Sequence, residues 1–423
     1  MARRWFLGAQ VPVVPKPRLA ARERRAPMQC GPIDKDGWPE DTEVAMKEAM
    51  FCAPPPFEDR PESLAAAAAW AVQAGVAPKV AVAFSTATGV DAAAGDADAF
   101  FDLASITKSF CAVACIHAGL PLATPVAEVL PALSQSPVAQ TPLLWLLSHR
   151  AGLVDHVPLF LPFLEDARAT ARPRAGLLPR GEARLMVASR LRADRGEPDS
   201  VFGFPPIYSD LGYFLAGEML ASYTGMPDAG AAIRATLLEP LGLADVLGTA
   251  GELRLDERLP RVVPTEFVPW RGGDVHGRVH DENAFVLEGW GGAGHAGLFG
   301  TAPALASFGR LLLEAAGDRG PLAHRNFKEL LTVRPGGTLL AGFDGKSTEG
   351  SSAGLLAGPN TFGHLGFTGT SLWIDPDLGV ATVFLTNRVS PTRASTHIRR
   401  ARPIVHDLLF TRGIAADRGR LHP

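Results

Sequence analysis

Ser105-Ile106-Thr107-Lys108 is the stretch of this chain whose residue types and spacing best suit catalysis. On a helix, a serine and a lysine three residues later share a face, one turn apart. An amine then stands beside a hydroxyl and can manage its proton during nucleophilic attack. The following residues support a helix: Ile106, Phe110, Val113 and Ile116 recur at spacings of three and four, and Gly119 is a stop. Ser105 at the N-terminus of such a helix lies where the macrodipole favours an alkoxide or an oxyanion. Ser-x-x-Lys alone is a weak pattern. The chain has only seven lysines, however, and Lys108 alone has a serine three residues before it.

Two further stretches could serve that pair. In Pro206-Ile207-Tyr208-Ser209-Asp210 a phenol near a lysine could act as a general base, because a cation lowers its pKa. The plainer reading is a packed tyrosine before a helix capped by Asp210. In His364-Leu365-Gly366-Phe367-Thr368-Gly369 the glycines let a substrate approach a strand closely, although an ordinary glycine-rich strand would look the same.

The elements that must position these residues follow from periodicity. Glu62–Ala74 reads as a helix and Lys79–Thr86 as a strand, with a short strand near Phe100-Phe101. Helices are expected over Leu143–Leu153, with a glycine stop at Gly152, over Asp210–Tyr223, and over Ala304–Ala316. Thr370–Ile374 and Val380–Thr386 read as a hairpin, and Thr396–Leu409 as a closing helix containing Pro403. Strands at both ends of a helical middle imply an α+β fold. Its antiparallel sheet is flanked by N- and C-terminal helices, and it carries an inserted helical region at about residues 106–299. Residues 1–45, rich in Arg and Pro, read as an irregular extension, residues 46–412 as the catalytic domain and 413–423 as a tail.

With 47% hydrophobic and 20% charged residues, the composition is that of a globular protein. A net charge of −3 gives no argument for nucleic acid. The longest apolar run, Leu64–Phe84, is broken by Gln73, Gly75, Pro78 and Lys79, so no membrane span is expected. Arg3 and Arg4 before Trp5-Phe6-Leu7 resemble the start of a signal peptide, but prolines cut the apolar part short. The expected compartment is cytoplasmic, with periplasmic as the alternative. Cys111 and Cys115 read as core residues; Cys30 and Cys52 could pair, but nothing requires it.

Taken in order, the three motifs resemble the serine β-lactamase and penicillin-binding-protein family on its class C side, which includes D,D-carboxypeptidases, D-aminopeptidases and esterases. The resemblance extends over about residues 46–412. It includes Asp102-Leu103-Ala104-Ser105, Leu147-Ser148-His149 with Gly152-Leu153, His280-Asp281-Glu282-Asn283-Ala284, Gly294–Phe299 and Leu385-Thr386-Asn387-Arg388. It implies a β-lactamase/transpeptidase-like fold with Ser105 as the acylated nucleophile. Lys108 and Tyr208 would share proton transfer, and His364 would face the site from an edge strand. Asp210, Gly366 and Phe367 would contact substrate, and the N–H groups of Ser105 and Phe367 would form an oxyanion hole. No metal or cofactor is implied, and the partner would be a small-molecule or peptide substrate.

Two residues depart from the family pattern. Asp210 stands where the pattern has Asn, and a carboxylate accepts but does not donate. His364 stands where many β-lactamases have Lys, which makes any cation there pH-dependent. Both argue against efficient β-lactam hydrolysis and fit a peptidase, amidase or esterase. A non-catalytic penicillin-binding sensor on the same fold is the alternative.

Two rival sites are also present in the sequence. Gly350-Ser351-Ser352-Ala353-Gly354 fits the nucleophile elbow Gly-x-Ser-x-Gly, but a polar loop precedes it where the elbow needs a buried strand. His276, His280, Asp281 and His295 could be a metal cluster, or a loop satisfying its own backbone. Gly272, Gly273 and Gly277 argue against the helix that a His276/His280 pair would need.

Overall fold

The structure is a computed structural model that describes residues 60–170, 177–255, 257–289 and 291–419. The expected extension at residues 1–45, and Cys30 and Cys52 with it, lie outside the described residues. Helix α1 spans Leu64–Gln73, and Ser63 starts it by accepting the Ala66 N–H. Strands β1 (Val80–Thr86), β2 (Asp91–Gly95) and β3 (Phe101–Asp102) follow, then a 3-10 turn over Ala104–Ile106 and helix α2, Thr107–His117. The middle of the chain contributes α3 (Leu143–Leu147), α4 (Asp210–Thr224), β4 (Leu247–Thr249), β5 (Phe267–Val268), β6 (Gly273–Asp274) and α5 (Glu282–Glu288). The rest comprises β7 (Leu298–Gly300), α6 (Ala302–Ala316), β8 (Asp344–Gly345), β9 (Phe362–Leu365), β10 (Ser371–Asp375), β11 (Val380–Thr386) and α7 (Ile398–Asp417).

The main sheet is antiparallel in the order β2-β1-β11-β10-β9-β8, so the first and last long strands lie side by side, with Val80 opposite Thr386. Side chains alternate between its faces. Ala81, Ala83, Leu372, Ile374, Ala381 and Val383 join the large core with α6, whereas Val80, Val82, Phe84, Trp373 and Phe384 pack with residues of α1 and α7. Helix α6 comes very close to the sheet: a Cβ on Gly309 would stand 2.6 Å from Ala381 Cβ. Helix α2 runs through the large core, and every residue from Thr107 to Ile116 is buried. Phe110 stacks on Phe308 of α6 with ring centroids 4.0 Å apart, which ties α2 to the sheet. Cys111 and Cys115 are free and buried in this core.

Two expectations need correcting, and one strand was not expected at all. The helix expected over Leu143–Leu153 stops at Leu147, well before Gly152. His149 takes a left-handed conformation (φ +60°), and Ser148 Oγ and the Arg150 N–H turn back to the Leu144 and Trp145 carbonyls at 2.6 and 2.7 Å. Strand β2, five alternately exposed residues with three alanines, carried no sequence signal and forms because β1 offers it an edge. The closing helix runs to Asp417, past its expected end at Leu409, and holds Pro403 in its second turn. Among the described residues no helix is long and apolar enough to cross a membrane.

Candidate active site

The nucleophile turn is built on Asp102. Its buried carboxylate accepts the Ala104 N–H at 2.8 Å and the His280 N–H at 2.7 Å. Burial pushes this carboxyl above the usual carboxylate range, against the pull of those two bonds. The first bond forms across a turn in which Ala104 has φ +47°, a strained position for a residue with a Cβ. Thr368 and Thr370 donate their hydroxyls to the carbonyls of Asp102 and Leu103 at 2.7 and 3.2 Å. The third sequence motif thus grips the first through side chains. Ser105 lies within the 3-10 turn, one step before α2.

Lys108 is fully buried, and its ammonium makes two hydrogen bonds and one ion pair. Nζ lies 2.8 Å from Ser105 Oγ, 2.7 Å from Asp210 Oδ1 and 3.1 Å from the His295 carbonyl. It also stands 5.0 Å from the centroid of the Tyr208 ring and 5.7 Å from that of Tyr213. Burial alone would pull Lys108 down; the Asp210 carboxylate and then Tyr208 outweigh it and hold the ammonium above its ordinary value. Asp210 responds in kind: burial raises it, but Lys108 and then His295 bring it below the usual carboxylate range. Asp210 is the first residue of α4 and not its cap. The capping position belongs to Ser209, whose hydroxyl donates to the Val154 carbonyl instead. A carboxylate in the first turn also suits the helix dipole.

Tyr208 shows 38% of its surface. Its hydroxyl end faces Lys108 and Ser105, which lend hydrogen bonds that favour the phenolate. Burial, with Asp210 adding to it, wins over the Lys108 cation, so the phenol lies above its ordinary value and is neutral at rest. His149 underlies it, with ring centroids 4.5 Å apart at 29°. Nδ1 of His149 accepts the Ser209 N–H at 3.0 Å, which leaves the imidazole proton on Nε2. Burial, then Lys108, pull His149 down to about 3, so it is neutral.

His364 lies on β9, which is not the outermost strand: β8 pairs with Gly363 and Phe362. Those pairs end before His364, leaving its outer side unpaired by strand. Nδ1 donates to the Leu365 carbonyl at 2.9 Å, so Nε2 is the free lone pair. Burial and then Lys108 pull His364 down to about 3, so it supplies no fixed cation. Its ring centroid is 6.1 Å from that of Tyr208. Gly366 has no room for a side chain, since a Cβ would lie 2.0 Å from Thr370 Oγ1 and 2.7 Å from the Leu103 carbonyl. Phe367 is exposed beside a cleft of about 270 Å³, whose other lining residues include Ser105, Phe160, His280, Asp281 and Arg393.

Ser105, Lys108, Tyr208 and Asp210 therefore come together, with His364 beside Tyr208 and the Gly366-Phe367 turn against the nucleophile strand. The four residues considered for a metal do not gather into one cluster. His276 Nε2 bonds the Val262 carbonyl at 2.8 Å, His280 pairs with Glu266 at 3.0 Å, and His295 pairs with Asp281 at 3.1 Å. Among the described residues no group of three or more His, Cys, Asp or Glu could hold a metal ion. Gly350–Gly354 is a loop with neither the strand before it nor the helix after it that an elbow requires. His149 and Glu266 were missed as site residues. His149 stands in a stretch that carried the resemblance, but nothing in its spacing links it to Tyr208 or to Ser209, the latter sixty residues away.

A buried lysine bonded to a serine at the head of a core helix, beside an antiparallel sheet with helices on both faces, defines a serine hydrolase of the β-lactamase and penicillin-binding type. Residues 62–406 match the Beta-lactamase family model, and the chain belongs to that family. It is 32% identical over 228 residues to a putative D-alanyl-D-alanine carboxypeptidase of Salmonella gallinarum, a match covering 49% of each chain. The match thus spans about half the length of that relative. Among solved structures, a β-lactamase from Mycobacterium bovis aligns with TM-score 0.53 at 20% identity, covering 82% of this chain and 99% of that one. EstCE1, a hydrolase with promiscuous acyltransferase activity, aligns with TM-score 0.56 at 17% identity, covering 81% and 96%. At these identities the two structures show the fold.

Proposed function

We propose that this enzyme cleaves a small amide or ester through an acyl-enzyme on Ser105. The observation that carries the reading is the 2.8 Å bond from the buried Lys108 ammonium to Ser105 Oγ at the edge of the cleft. Ser105 Oγ attacks the carbonyl carbon, and the carbonyl oxygen becomes an oxyanion held by the N–H groups of Ser105 and Phe367. At rest both members of the Lys108–Tyr208 pair are protonated, so the reactive form is the one that has lost one proton to solvent; that pair takes the proton leaving Oγ and returns it to the leaving group. Water then attacks the ester formed on Ser105, the same pair takes its proton, and Oγ is regenerated.

The substrate class follows from charge. Asp210 cannot donate to an acylamino carbonyl, and neutral His364 cannot pair with a substrate carboxylate at neutral pH. By this argument small esters suit the site better than penicillins; peptides ending in D-amino acids carry the same two groups, and what supports them is the name of the Salmonella relative and not the charge of the site. β-Lactamase activity should be weak. A cleft of about 270 Å³ also sits at the small end for ligand pockets, which run from roughly 300 to 1,000 Å³. Steady-state hydrolysis of p-nitrophenyl acetate, a D-Ala-D-Ala peptide and benzylpenicillin tests this order. Turnover of the ester above that of the penicillin is expected, and turnover of the peptide above that of the ester would favour the carboxypeptidase reading. A stable adduct with no turnover of any of the three would indicate a penicillin-binding sensor instead.

A further inference from the structure

Arg402, on α7, is a buried cation for which the proton-transfer groups above leave no role. It is 8% exposed. Among the described residues no carboxylate pairs with it; the charge acting on it is the Arg388 cation, which repels it. Burial, then Arg388, pull it down to about 9, so it remains charged at neutral pH. An uncompensated buried charge is costly and is seldom retained without compensation from other groups.

Its hydrogen bonds show where the charge is directed. Nη2 donates to the Gly366 carbonyl at 2.9 Å and to the Thr370 carbonyl at 2.8 Å. These carbonyls flank the turn that holds Phe367. The turn closes on itself through the Gly366 N–H to the Thr370 carbonyl, at 2.8 Å, and the Gly369 N–H to the Gly366 carbonyl, at 3.1 Å. The Gly366 carbonyl and the Phe367 N–H belong to one planar peptide group. A cation bonded to the oxygen of that group draws electron density from its nitrogen, which makes the N–H a stronger donor.

We propose that Arg402 is a positioning residue that orients and polarises the Gly366–Phe367 peptide, so that the Phe367 N–H binds the oxyanion formed at Ser105. The inference rests on the acyl-enzyme reading above. Arg402 lies behind the turn and touches no substrate; it acts through the peptide. Its charge stabilises negative charge that develops only as the carbonyl is attacked. It should therefore raise kcat and leave ground-state binding nearly unchanged.

The test compares native protein with Arg402→Gln and Arg402→Lys. Glutamine keeps an N–H donor but removes the charge, whereas lysine keeps a charge that can reach both carbonyls from one nitrogen. The readouts are kcat and KM for p-nitrophenyl acetate, and the Kd of phenylboronic acid, whose tetrahedral adduct on a serine mimics the oxyanion. Arg402→Gln should lose about tenfold or more in kcat with KM within about twofold, and boronate affinity should fall in step. Arg402→Lys should recover most of both. A folded Arg402→Gln protein with native kcat and native boronate affinity would overturn the proposal, leaving Arg402 as a tie between helix and sheet. If Arg402→Gln does not fold, Arg402→Lys decides alone: kcat and boronate affinity must change by the same factor, and any divergence overturns the proposal. Native protein that neither hydrolyses the ester nor binds the boronate would instead refute the acyl-enzyme reading.

Discussion

Asp210 Oδ1 lies 2.7 Å from Lys108 Nζ, at the position where the family pattern places an amide. The carboxylate fixes the ammonium as a cation and opposes ionisation of Tyr208. Asp210→Asn removes that anion, so both Lys108 and Tyr208 should release protons more readily. The alkaline side of the rate profile should move to lower pH by about one unit or more, and acylation by penicillin should improve relative to a small ester. The ratio of two rates on two proteins cancels differences in expression. An unchanged ratio with an unmoved profile would leave Asp210 only a charge at a helix terminus.

His149 supports Tyr208 by stacking, and it accepts the Ser209 N–H. Asn tolerates the left-handed backbone there, so His149→Asn isolates the loss of the ring. Stability should fall by about 1–3 kcal/mol, from the lost stack and weakened hydrogen bond. The kcat for a small ester should fall about tenfold through misplacement of the phenol. Thermal melting and steady-state kinetics check the two effects. A variant with native kcat would show that Tyr208 needs no platform.

Acid should destabilise the fold from a predictable pH. His149, His364 and His406 are each pulled down to about 3, chiefly by burial, from an ordinary value of 6.5. Below 6.5 the unfolded chain takes up protons that the native one refuses until about 3. Stability is thus full above that window and is lost as pH falls through it, by about 1.4 kcal/mol per group per pH unit. Glu266 adds to the loss at lower pH, since its folded value of about 2 lies below its ordinary 4.5. Melting temperature measured from pH 8 to 4 should decline below about 6.5. His406 sits between Ser371 and Thr382, at 2.8 and 2.9 Å, so His406→Gln should make the decline shallower. A melting temperature flat across the range would contradict the buried neutral histidines.

The groups that assemble around Ser105 were legible where chemistry constrains residue type. The serine–lysine pair, the Tyr208 stretch and the glycine turn all carry motif spacing, and periodicity exposed the sheet strands β1, β10 and β11. Other features depend on tertiary contacts that no local pattern encodes. The left-handed His149 is held by Ser209 and Tyr208 from a distant segment. The strained Ala104 is held by Asp102, which also binds His280 far along the chain. Arg402 looks like one more charge in a basic helix until the fold brings it beneath the Gly366 turn. Strand β2 forms on an edge supplied by β1, although alanine is a poor strand former.

Activity should not depend on a metal. Serine, lysine and tyrosine supply the nucleophile and the proton transfer, and His280 and His295 are engaged by carboxylates. Dialysis against a strong chelator should leave ester hydrolysis unchanged. A large loss restored by zinc would move the chemistry to the segment from His276 to His295.

The claim on which the account depends is that Ser105 becomes acylated. Intact-mass measurement after exposure to benzylpenicillin and to an activated ester, followed by peptide mapping, reads this directly. The account predicts one adduct of the acyl mass, mapped to Ser105, absent in Ser105→Ala and retained in Ser352→Ala. An adduct that persists in Ser105→Ala, or maps to Ser352, would contradict it.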